Sequence, residues 1–375
     1  MQIAILGAGM VGRAMAIDLA TKYNVTSFDV SDTALQILTK KNNSIQTSKA
    51  DLSNYASYKL LLKSFDYVIS AVPGFMGYKT LEAIITAKKN VVDISFFFFY
   101  SLQLHRLACE NEVTAIVDCG VAPGMSNLIL GYHNERMKIT SFECLVGGLP
   151  KKRVLPFEYK APFSPIDVLE EYTRPARYVE NGNLIIKPAL SDAELIDFEK
   201  VGTLESFNTD GLRSILFTMA HIPNMKEKTL RYPGHISLMQ SLIKAGFLDT
   251  TTFNFKGQQF SPMEFTSSLL FNQWKLEETE EEFTLMRIKL GDKNKIITYN
   301  LYDEYDEPTQ TSSMGRTTGY TCTAALNMLI EKLFTAKGVY PPELIGSDER
   351  CFNFMLQYLE QRNVRYRKTE SPAIS

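Results

Sequence analysis

The first 120 residues alternate short apolar runs with longer amphipathic stretches, and this alternation limits the chain to few folds. The apolar runs are typical of parallel strands buried on both faces, and they read IAILGA, VTSFDV, YVISAV, VVDIS and TAIVDC, with a weaker one at NSIQTS. Stretches with helical spacing separate them, for example at residues 10–22 and 78–88. Repeated strand–helix units predict an α/β fold with a Rossmann-type doubly wound parallel sheet.

The pattern changes after Pro123. Hairpin signals occur at residues 180–183 (ENGN) and 291–294 (GDKN), and the runs FTLMRIKL and IITYNLYDEY alternate as half-buried antiparallel strands do. These features predict a second, α+β domain that contains a mixed or antiparallel sheet. We therefore expect a dinucleotide-binding Rossmann domain over residues 1–122 and an α+β substrate and dimerisation domain over residues 123–340. Over residues 341–375 we expect a C-terminal helix, and one option is that this helix returns to the Rossmann domain. The tail RKTESPAIS is predicted to be frayed.

A glycine-rich turn follows the first predicted strand. The sequence ILGAGMVG places Gly7, Gly9 and Gly12 in G-x-G-x-x-G spacing at the start of a helix. In a dinucleotide site the first glycine allows the tight turn, the second lets the backbone approach the pyrophosphate, and the third lets helix and strand pack closely. The amide groups at the start of that helix, at Met10 and Val11, then face the phosphates.

Asp29 ends the second predicted strand, about twenty residues beyond the turn, where dinucleotide sites carry an acid. A carboxylate there accepts hydrogen bonds from the ribose hydroxyls and repels a 2′-phosphate, so NAD is predicted as the cofactor in preference to NADP. Two other interpretations stay open. One is a tight turn that binds no ligand, with Asp29 capping the next helix, and the other is a site for a methyl-donor cofactor.

Two further segments are predicted at the crevice where the parallel strands end. Ala71, Val72 and Pro73 follow the fourth clear strand, and they favour a dinucleotide over a methyl donor. Asp51 is placed near the adenine, and a role at the N-terminus of a helix is an equal alternative.

The segment VDCGVAPGMSN follows another predicted strand that ends at the crevice. It contributes Gly120 to the cofactor site, and its polar side chains Asp118 and Asn127 are predicted to point inward. A plain linker between domains is the alternative interpretation.

Composition excludes several classes of partner. The formal net charge of −2 gives no electrostatic footprint for nucleic acid. The five cysteines are scattered without a CxxC pair and the four histidines lie apart from them, so neither disulfides nor a metal site are predicted, and a reducing, cytoplasmic compartment is expected. No signal peptide is expected, and no apolar run approaches the ~20 residues of a membrane helix.

The phenylalanines of SFFFFY, residues 95–100, are interpreted as core and interface residues, with a pocket wall as the alternative.

The stretch EKTLRYPGH at residues 227–235 resembles a signature of the saccharopine dehydrogenase superfamily, most closely its lysine 6-dehydrogenase branch. Other segments occur in the order of that family, namely GAGMVG, DCGVAPG, GGLP, FSPIDVLEEY, GTLESFNTDGLRS and GVYPPELIG. The resemblance covers nearly the whole chain. It implies a Rossmann domain with an α+β domain, a nicotinamide cofactor and a substrate with an amino-acid backbone.

By the same resemblance, four residues are implied to bind the substrate: Arg213, Thr229, Arg231 and Tyr232. Arginine binds a carboxylate through a bidentate fork, which agrees with an amino-acid substrate. For either arginine, a structural salt bridge is the alternative.

The candidate acid–base residues are Lys228, His235 and Asp118. An imidazole has a suitable unperturbed pKa for proton transfer near neutrality. Capping of the following helix is the alternative role for His235.

Two positions depart from the glutamate-forming saccharopine dehydrogenases, which have a Ser–Tyr pair after the fifth strand and an aspartate before the Pro-Gly turn. Here those positions are Ser95 with Phe96, and Ala122, so two polar groups that would contact saccharopine are apolar. The sequence therefore predicts NAD-dependent oxidative deamination of the ε-amine of L-lysine to 2-aminoadipate 6-semialdehyde and ammonia, carried out by a homodimer. The alternatives are an enzyme of the saccharopine or carboxynorspermidine dehydrogenase type and a non-catalytic NAD-binding protein.

Overall fold

Seven parallel strands form the first sheet of the computed structural model, which describes residues 1–96 and 100–373. These strands, numbered along the chain, are β1 (Gln2–Leu6), β2 (Asn24–Asp29), β3 (Gln46–Lys49), β4 (Tyr67–Ser70), β5 (Asn90–Asp93), β6 (Thr114–Ile116) and β17 (Gly338–Tyr340). Their spatial order is β17–β6–β5–β4–β1–β2–β3. Helices cover both faces of a parallel sheet, which is why these strands read as continuous apolar runs.

The connections between these strands are helical. They contain α1 (Met10–Ala20), α2 (Asp32–Lys41), α3 (Tyr58–Leu61), α4 (Gly74–Thr86) and α5 (His105–Glu110), with 3₁₀ turns at Tyr55–Ser57 and Ser101–Leu104. Because each crossover returns the chain to the same end of the sheet, the loops that follow the strands meet at one edge. The predicted Rossmann-type doubly wound sheet is confirmed.

The second sheet is mixed. Its strands are β7 (Ser141–Pro150), β8 (Ala176–Glu180), β9 (Asn183–Lys187), β10 (Glu194–Phe198), β11 (Gly202–Asn208), β12 (Met225–Arg231), β15 (Glu282–Gly291), β16 (Lys295–Glu304) and β18 (Tyr366–Pro372). The order is β10–β11–β12–β7–β15–β16–β18, with β8 between β9 and β12 at the side. Strands β12 and β7 run parallel, whereas their other neighbours run antiparallel. The predicted hairpins at 180–183 and 291–294 join β8 to β9 and β15 to β16, and the predicted α+β domain with a mixed sheet is confirmed.

The remaining elements surround this sheet or connect it to the first one. They are α6 (Met125–Asn134), α7 (Pro165–Thr173), α8 (Ile215–Thr218), α9 (His235–Lys244), α10 (Pro262–Trp274), α11 (Ser313–Ile330), α12 (Pro342–Gly346), α13 (Glu349–Glu360) and a small hairpin of β13 (Phe253–Phe255) and β14 (Gln258–Phe260). Asp18 on α1 accepts hydrogen bonds from Thr323 on α11, from Tyr358 on α13 and from Arg362. Helices from the end of the chain are therefore fixed to the first sheet.

The C-terminal third differs from the sequence expectation in two places. Residues 338–340, predicted as part of the second domain, form β17 and pair with β6 of the first sheet. Residues 367–372 of the tail predicted as frayed belong to β18, which pairs with β16 from Leu301↔Tyr366 to Lys295↔Pro372. That tail is mostly exposed and polar, so it carries no apolar alternation from which a strand could be predicted. The division at residue 122 stays a prediction.

Over residues 1–96 and 100–373, every helix is too short or too polar to cross a lipid bilayer. Of the predicted phenylalanine cluster, Phe97, Phe98 and Phe99 lie outside the described residues, whereas Phe96 lines the cavity described next.

Candidate active site

A cavity of about 880 Å³ lies where the carboxyl edge of the first sheet faces the second sheet. Loops that follow β1, β2, β4, β5 and β6 line one side, which we call the cofactor half. Residues of β7, α7, β12 and the loop after β11 line the other side, and we call them, together with Asp118, the substrate half. Cavities of this volume are large enough for a cofactor-sized ligand.

The turn after β1 has the shape that a pyrophosphate site requires. Gly7 has a φ of +114°, and a Cβ there would lie 2.4 Å from the Ala71 carbonyl oxygen. A Cβ at Gly12 would lie 2.1 Å from the Gly7 carbonyl oxygen, whereas a Cβ at Gly9 would meet no described atom within 4 Å. No described side chain caps the first turn of α1, so its amide groups can bind an anion.

Asp29 is held at the wall of the cofactor half. Its carboxylate accepts hydrogen bonds from the backbone N–H of Ala8 at 2.7 Å and of Ser31 at 2.8 Å. Asp51 also lines the cavity, but its Oδ1 accepts hydrogen bonds from the N–H and hydroxyl of Ser53 and closes a local turn. All the residues predicted to contact the cofactor line this cavity: Gly7, Gly9, Met10, Val11, Gly12, Asp29, Asp51, Ala71, Val72, Pro73 and Gly120.

One face of β12 forms part of the substrate half. Side chains alternate between the two faces of a strand, and Glu227, Thr229 and Arg231 line the cavity. Thr229 Oγ1 donates a hydrogen bond to Thr209 Oγ1 at 3.1 Å. Residues 227–231 of the stretch on which the family resemblance depends are therefore a strand whose alternate residues line the cavity.

Arg231 is buried and held in one orientation. Its Nε donates to the Tyr172 hydroxyl at 2.9 Å, its Nη2 to Glu171 Oε2 at 3.0 Å, and its Nη1 to the Leu230 carbonyl at 3.0 Å. The guanidinium carbon lies 4.3 Å from the centroid of the Tyr159 ring. An arginine fixed in this way can present its remaining N–H groups to a carboxylate without losing further side-chain entropy.

His235 contacts the site only through Tyr172. Its Nε2 lies 2.9 Å from the Tyr172 hydroxyl and its Nδ1 lies 2.8 Å from the Phe157 carbonyl oxygen. Burial, with a smaller effect of Arg231, lowers the pKa of His235 to about 3. The ring is therefore neutral, and the carbonyl makes Nδ1 the donor and Nε2 the acceptor. An acid–base role for His235 is not supported, because the ring does not line the cavity and its two nitrogens are bonded to Tyr172 and to the Phe157 carbonyl.

Neither Lys228, on β12, nor Tyr232, which directly follows that strand, lines the cavity. Lys228 Nζ donates to the Asp192 carbonyl at 2.7 Å and pairs with Glu194 at 3.1 Å. The Tyr232 hydroxyl donates to the Pro150 carbonyl at 2.9 Å. Lys228 is an odd number of residues from Arg231, so strand alternation puts the two on opposite faces. The placement of Lys228 and Tyr232 in the site is therefore corrected.

Asp118 lines the cavity, but Arg213 and Asn127 do not. Arg213 donates to Asp118 Oδ1 from Nε at 3.1 Å and from Nη2 at 2.8 Å, and its guanidinium carbon lies 4.5 Å from the Phe96 ring centroid. Both members of this salt bridge have a φ of +51°, a strained backbone conformation that persists where surrounding contacts enforce it. Asn127 donates instead to Glu343 in the protein interior. Substrate contact by Arg213 and Asn127 is thus not supported.

Two buried carboxyl groups of the substrate half were missed by the sequence predictions. The Glu227 carboxyl forms no hydrogen bond or salt bridge with the described residues, and burial raises its pKa to about 8, with Glu171 and Asp210 adding to the rise. Asp167 Oδ1 has no hydrogen-bond partner among the described residues, and burial raises the pKa of Asp167 to about 7. The signal for Glu227 is its spacing of two and four residues from Thr229 and Arg231.

Two family models match the chain. The model described as the saccharopine dehydrogenase NADP binding domain matches residues 3–116, and the model described as the saccharopine dehydrogenase C-terminal domain matches residues 120–364. Together they cover both halves of the cavity.

Curated relatives are distant in sequence. The mitochondrial alpha-aminoadipic semialdehyde synthase of Mus musculus is 24% identical over 267 residues, which are 67% of this chain and 29% of that protein. The saccharopine dehydrogenase [NADP(+), L-glutamate-forming] of Schizosaccharomyces pombe is 25% identical over 271 residues, 66% of this chain and 58% of that protein. The chain thus spans less than two thirds of the length of these relatives.

A solved structure shares the fold. The apo saccharopine dehydrogenase (L-Glu forming) of Saccharomyces cerevisiae aligns over 100% of both chains with a TM-score of 0.79 and 19% identity. At that identity the likeness shows the arrangement of the two sheets, and the chemistry has to be argued from the side chains of this chain.

Proposed function

The chain belongs to the saccharopine dehydrogenase family, and we propose that it is a nicotinamide-dependent oxidoreductase that takes hydride from a carbon bearing an amine. The observation that carries this proposal is a single cavity whose two halves have complementary chemistry. The glycine turn and Asp29 suit a dinucleotide, and Arg231 beside carboxyl groups suits an amino acid with an additional amine.

The residues of the cofactor half fit a nicotinamide dinucleotide. Gly9 leaves space for the pyrophosphate, and the uncapped start of α1 supplies amide donors. The Asp29 carboxylate, oriented by two backbone N–H groups, supports NAD over NADP because a 2′-phosphate would be repelled there. When bound, the nicotinamide supplies the hydride acceptor.

Arg231 and Thr229 support binding of the substrate's α-carboxylate. Both line the cavity from the same face of β12, and the guanidinium is already oriented by Tyr172 and Glu171. A charge-assisted pair with a fixed guanidinium is among the stronger polar contacts. The substrate's amine then extends along the cavity toward the cofactor half.

The charge of the substrate half supports L-lysine over saccharopine. Six acids line the described part of the cavity around the substrate position. Four of them are paired with arginines, whereas two form no salt bridge with the described residues and are available to an ammonium group: Asp118, Glu170, Glu171 and Asp210 are paired, and Asp167 and Glu227 are not. Saccharopine has three carboxylates, whereas lysine has one carboxylate and two ammonium groups. Phe96 and Ala122 also line the cavity without polar groups for a second acidic end. Unpaired buried polar groups of a ligand are costly.

The proposed reaction is the oxidative deamination of the lysine ε-amine. A cation does not release hydride, so the ε-ammonium must first lose a proton. Loss of hydride from Cε leaves an iminium, which takes up water and releases ammonia to give 2-aminoadipate 6-semialdehyde. The protein orients the carbon and handles the proton, and the hydride chemistry belongs to the cofactor.

A second candidate is oxidation of the C–N bond of saccharopine, or reductive formation of such a bond. It is favoured by the names of the relatives, which include a saccharopine dehydrogenase and alpha-aminoadipic semialdehyde synthases. A non-catalytic NAD-binding protein is the third alternative.

A substrate panel tests these alternatives. We would supply NAD or NADP with L-lysine, saccharopine, carboxynorspermidine or short diamines and follow the absorbance of the reduced cofactor. We expect L-lysine with NAD to give the highest kcat/KM. If saccharopine is turned over and lysine is not, the second candidate function replaces the proposed one. Tight NAD binding without turnover of any amine would favour the third.

Three predictions from the sequence accompany this proposal. They are the division of the chain near residue 122, assembly as a homodimer and a cytoplasmic location. Sedimentation analysis of the full chain checks the assembly, and limited proteolysis checks the division.

A further inference from the structure

We propose that Glu227 is the catalytic residue that accepts the proton from the substrate's ε-ammonium. This inference rests on the proposed amine oxidation, because only a cationic amine requires deprotonation before hydride leaves. The sequence predicts Lys228, His235 or Asp118 for this step. Lys228 and His235 do not line the cavity, and the Asp118 carboxylate is paired with Arg213.

The Glu227 carboxyl is buried at the wall of the cavity and has no partner among the described residues. Its side chain is 7% exposed, it lines the cavity, and its carboxyl oxygens make no hydrogen bond or salt bridge with the described residues. A Cβ at Gly211 would lie 1.7 Å from Glu227 Oε1, so the carboxyl lies against backbone where only glycine leaves room. A buried carboxyl without a partner is costly, and a cationic ligand would supply the partner.

The other carboxyls of the substrate half are paired with arginines, with one exception among the described residues. Salt bridges join Asp118 to Arg213, Glu170 to Arg174, Glu171 to Arg231 and Asp210 to Arg177. The exception is Asp167, which starts α7 and faces Gly74 at the start of α4. Asp167 lies on α7, whereas Glu227 lies on the same strand and the same cavity face as Arg231, so Glu227 is the carboxyl that a ligand bound at Arg231 meets along β12.

The spacing between Glu227 and Arg231 leaves room for an extended lysine between their side chains. Four strand residues separate their Cα atoms by about 13 Å. The carboxylate and ε-nitrogen of lysine are joined by six single bonds of about 1.5 Å and span roughly 7 Å. Both side chains approach Glu171, which accepts from Arg231 Nη2 at 3.0 Å and whose charge acts on Glu227. A lysine whose carboxylate is at Arg231 therefore extends its amine toward Glu227.

The surroundings set the proton affinity of Glu227. Glu171 faces it from α7, Asp118 from the loop after β6, and Asp210 and Arg213 from the loop after β11. Burial, followed by the charges of Glu171 and Asp210, raises the pKa of Glu227 to about 8, and Arg213 opposes the rise. A base with a pKa near the operating pH is the efficient choice for proton transfer.

The step balances in protons and electrons. The Glu227 carboxylate takes a proton from R–CH₂–NH₃⁺, and the free electron pair on nitrogen then assists loss of hydride from Cε to the oxidised nicotinamide. The products are R–CH=NH₂⁺ and the reduced nicotinamide. Water converts the iminium to R–CHO and NH₄⁺.

The kinetic test uses Glu227→Gln, which keeps the volume of the side chain. At pH 7.5 we expect kcat/KM for L-lysine to fall by about a hundredfold or more. The deficit should shrink toward pH 10, because free lysine then supplies its own neutral amine. A variant whose pH profile has the same shape as that of the wild type would overturn the proposal.

The binding test measures protons without turnover. L-Lysine is titrated calorimetrically, in buffers of different ionisation enthalpy, into protein saturated with the reduced cofactor. At pH 7 the Glu227 carboxyl of the free protein holds a proton, since its pKa is about 8, and it must lose this proton to pair with the ε-ammonium. We therefore expect release of close to one proton from the wild type and none from Glu227→Gln. L-Norleucine, which lacks the ε-amine, should release none from either protein.

Glu282→Gln is the matched control. Glu282 is 1% exposed, burial raises its pKa to about 8, and it does not line the cavity. A carboxyl whose pKa is raised to about 8 in the folded state lowers the free energy of unfolding progressively as pH rises from about 4.5 to 8. The melting temperature of both glutamine variants should therefore exceed that of the wild type by an amount that grows over this interval. Only Glu227→Gln should lose proton release.

The outcomes separate this inference from the proposed function. If the wild type neither binds nor oxidises lysine, both are overturned. If it oxidises lysine and Glu227→Gln still releases the proton, only the assignment of Glu227 fails. Loss of proton release in Asp167→Asn, with retention in Glu227→Gln, would assign the step to Asp167 and overturn the proposal.

Discussion

The two halves of the cavity are built in different ways. The cofactor half consists mainly of backbone, since its glycines exclude side chains and its helix start presents amide groups. The substrate half consists of side chains whose charges are neutralised by partners from distant parts of the chain, such as Asp118 with Arg213. A half made of backbone tolerates few substitutions, whereas a half made of paired charges can change its specificity through single residues.

The largest effect is expected in the cofactor half, from Gly12→Ala. The added Cβ would lie 2.1 Å from the Gly7 carbonyl oxygen, so the turn must shift. We expect NAD affinity to fall by about a hundredfold or more, on the order of 3 kcal/mol, together with a lower melting temperature.

Gly9→Ala provides the contrast within the same turn. A Cβ at Gly9 meets no described atom, so the melting temperature without ligand should stay near that of the wild type while NAD affinity falls. Equal NAD affinity in Gly9→Ala and the wild type would show that the pyrophosphate does not approach this turn.

In the substrate half, Arg231→Lys should have the next largest effect. Lysine keeps the charge but loses the planar fork that contacts Tyr172 and Glu171. We expect KM for L-lysine to rise by one to two orders of magnitude, on the order of 2 kcal/mol, with little change in NAD affinity. An unchanged KM with a lowered melting temperature would make Arg231 a structural ion-pair residue.

Substitution of Asp29 tests whether this residue sets the preference of the cofactor half for NAD over NADP. Asp29→Ser removes the charge that would repel a 2′-phosphate, so the ratio of kcat/KM for NAD to that for NADP should fall by about tenfold. Lysine KM should stay unchanged. A wild-type protein that already prefers NADP would contradict the role given to Asp29.

The contrast between the halves also explains what the sequence could predict. The glycines and Asp29 make their contacts within a few residues or between adjacent strands. The cofactor half could therefore be predicted from short segments of the sequence. Strand alternation alone separates Glu227, Thr229 and Arg231 from Lys228, and applying it strictly would have excluded Lys228.

Other features of the substrate half depend on tertiary contacts that the sequence does not display. Arg213 and Asp118 are far apart in the chain, and their salt bridge forms only when the loop after β11 reaches the end of β6. The burial that makes His235 neutral likewise comes from Tyr159, Tyr172 and Trp274, which lie on separate elements.

The smallest effect is expected from His235→Gln. If His235 only orients Tyr172, then KM for L-lysine should rise about threefold, roughly 0.6 kcal/mol, because glutamine replaces one of two hydrogen bonds imperfectly. The pH dependence of kcat between pH 6 and 9 should not change, since the pKa of His235 is about 3.

The stability of the His235→Gln protein provides a second readout. The unfolded chain protonates His235 near pH 6.5 and the folded protein does not, so the wild type loses stability as pH falls below about 6.5. His235→Gln should show a shallower loss, whereas His221→Gln, at an exposed histidine bonded to Asn134, should behave as the wild type. If the pH profile of kcat loses an inflection in His235→Gln that the wild type has, then His235 is an acid–base residue. Proton transfer would then occur at His235, on α9, and not at Glu227.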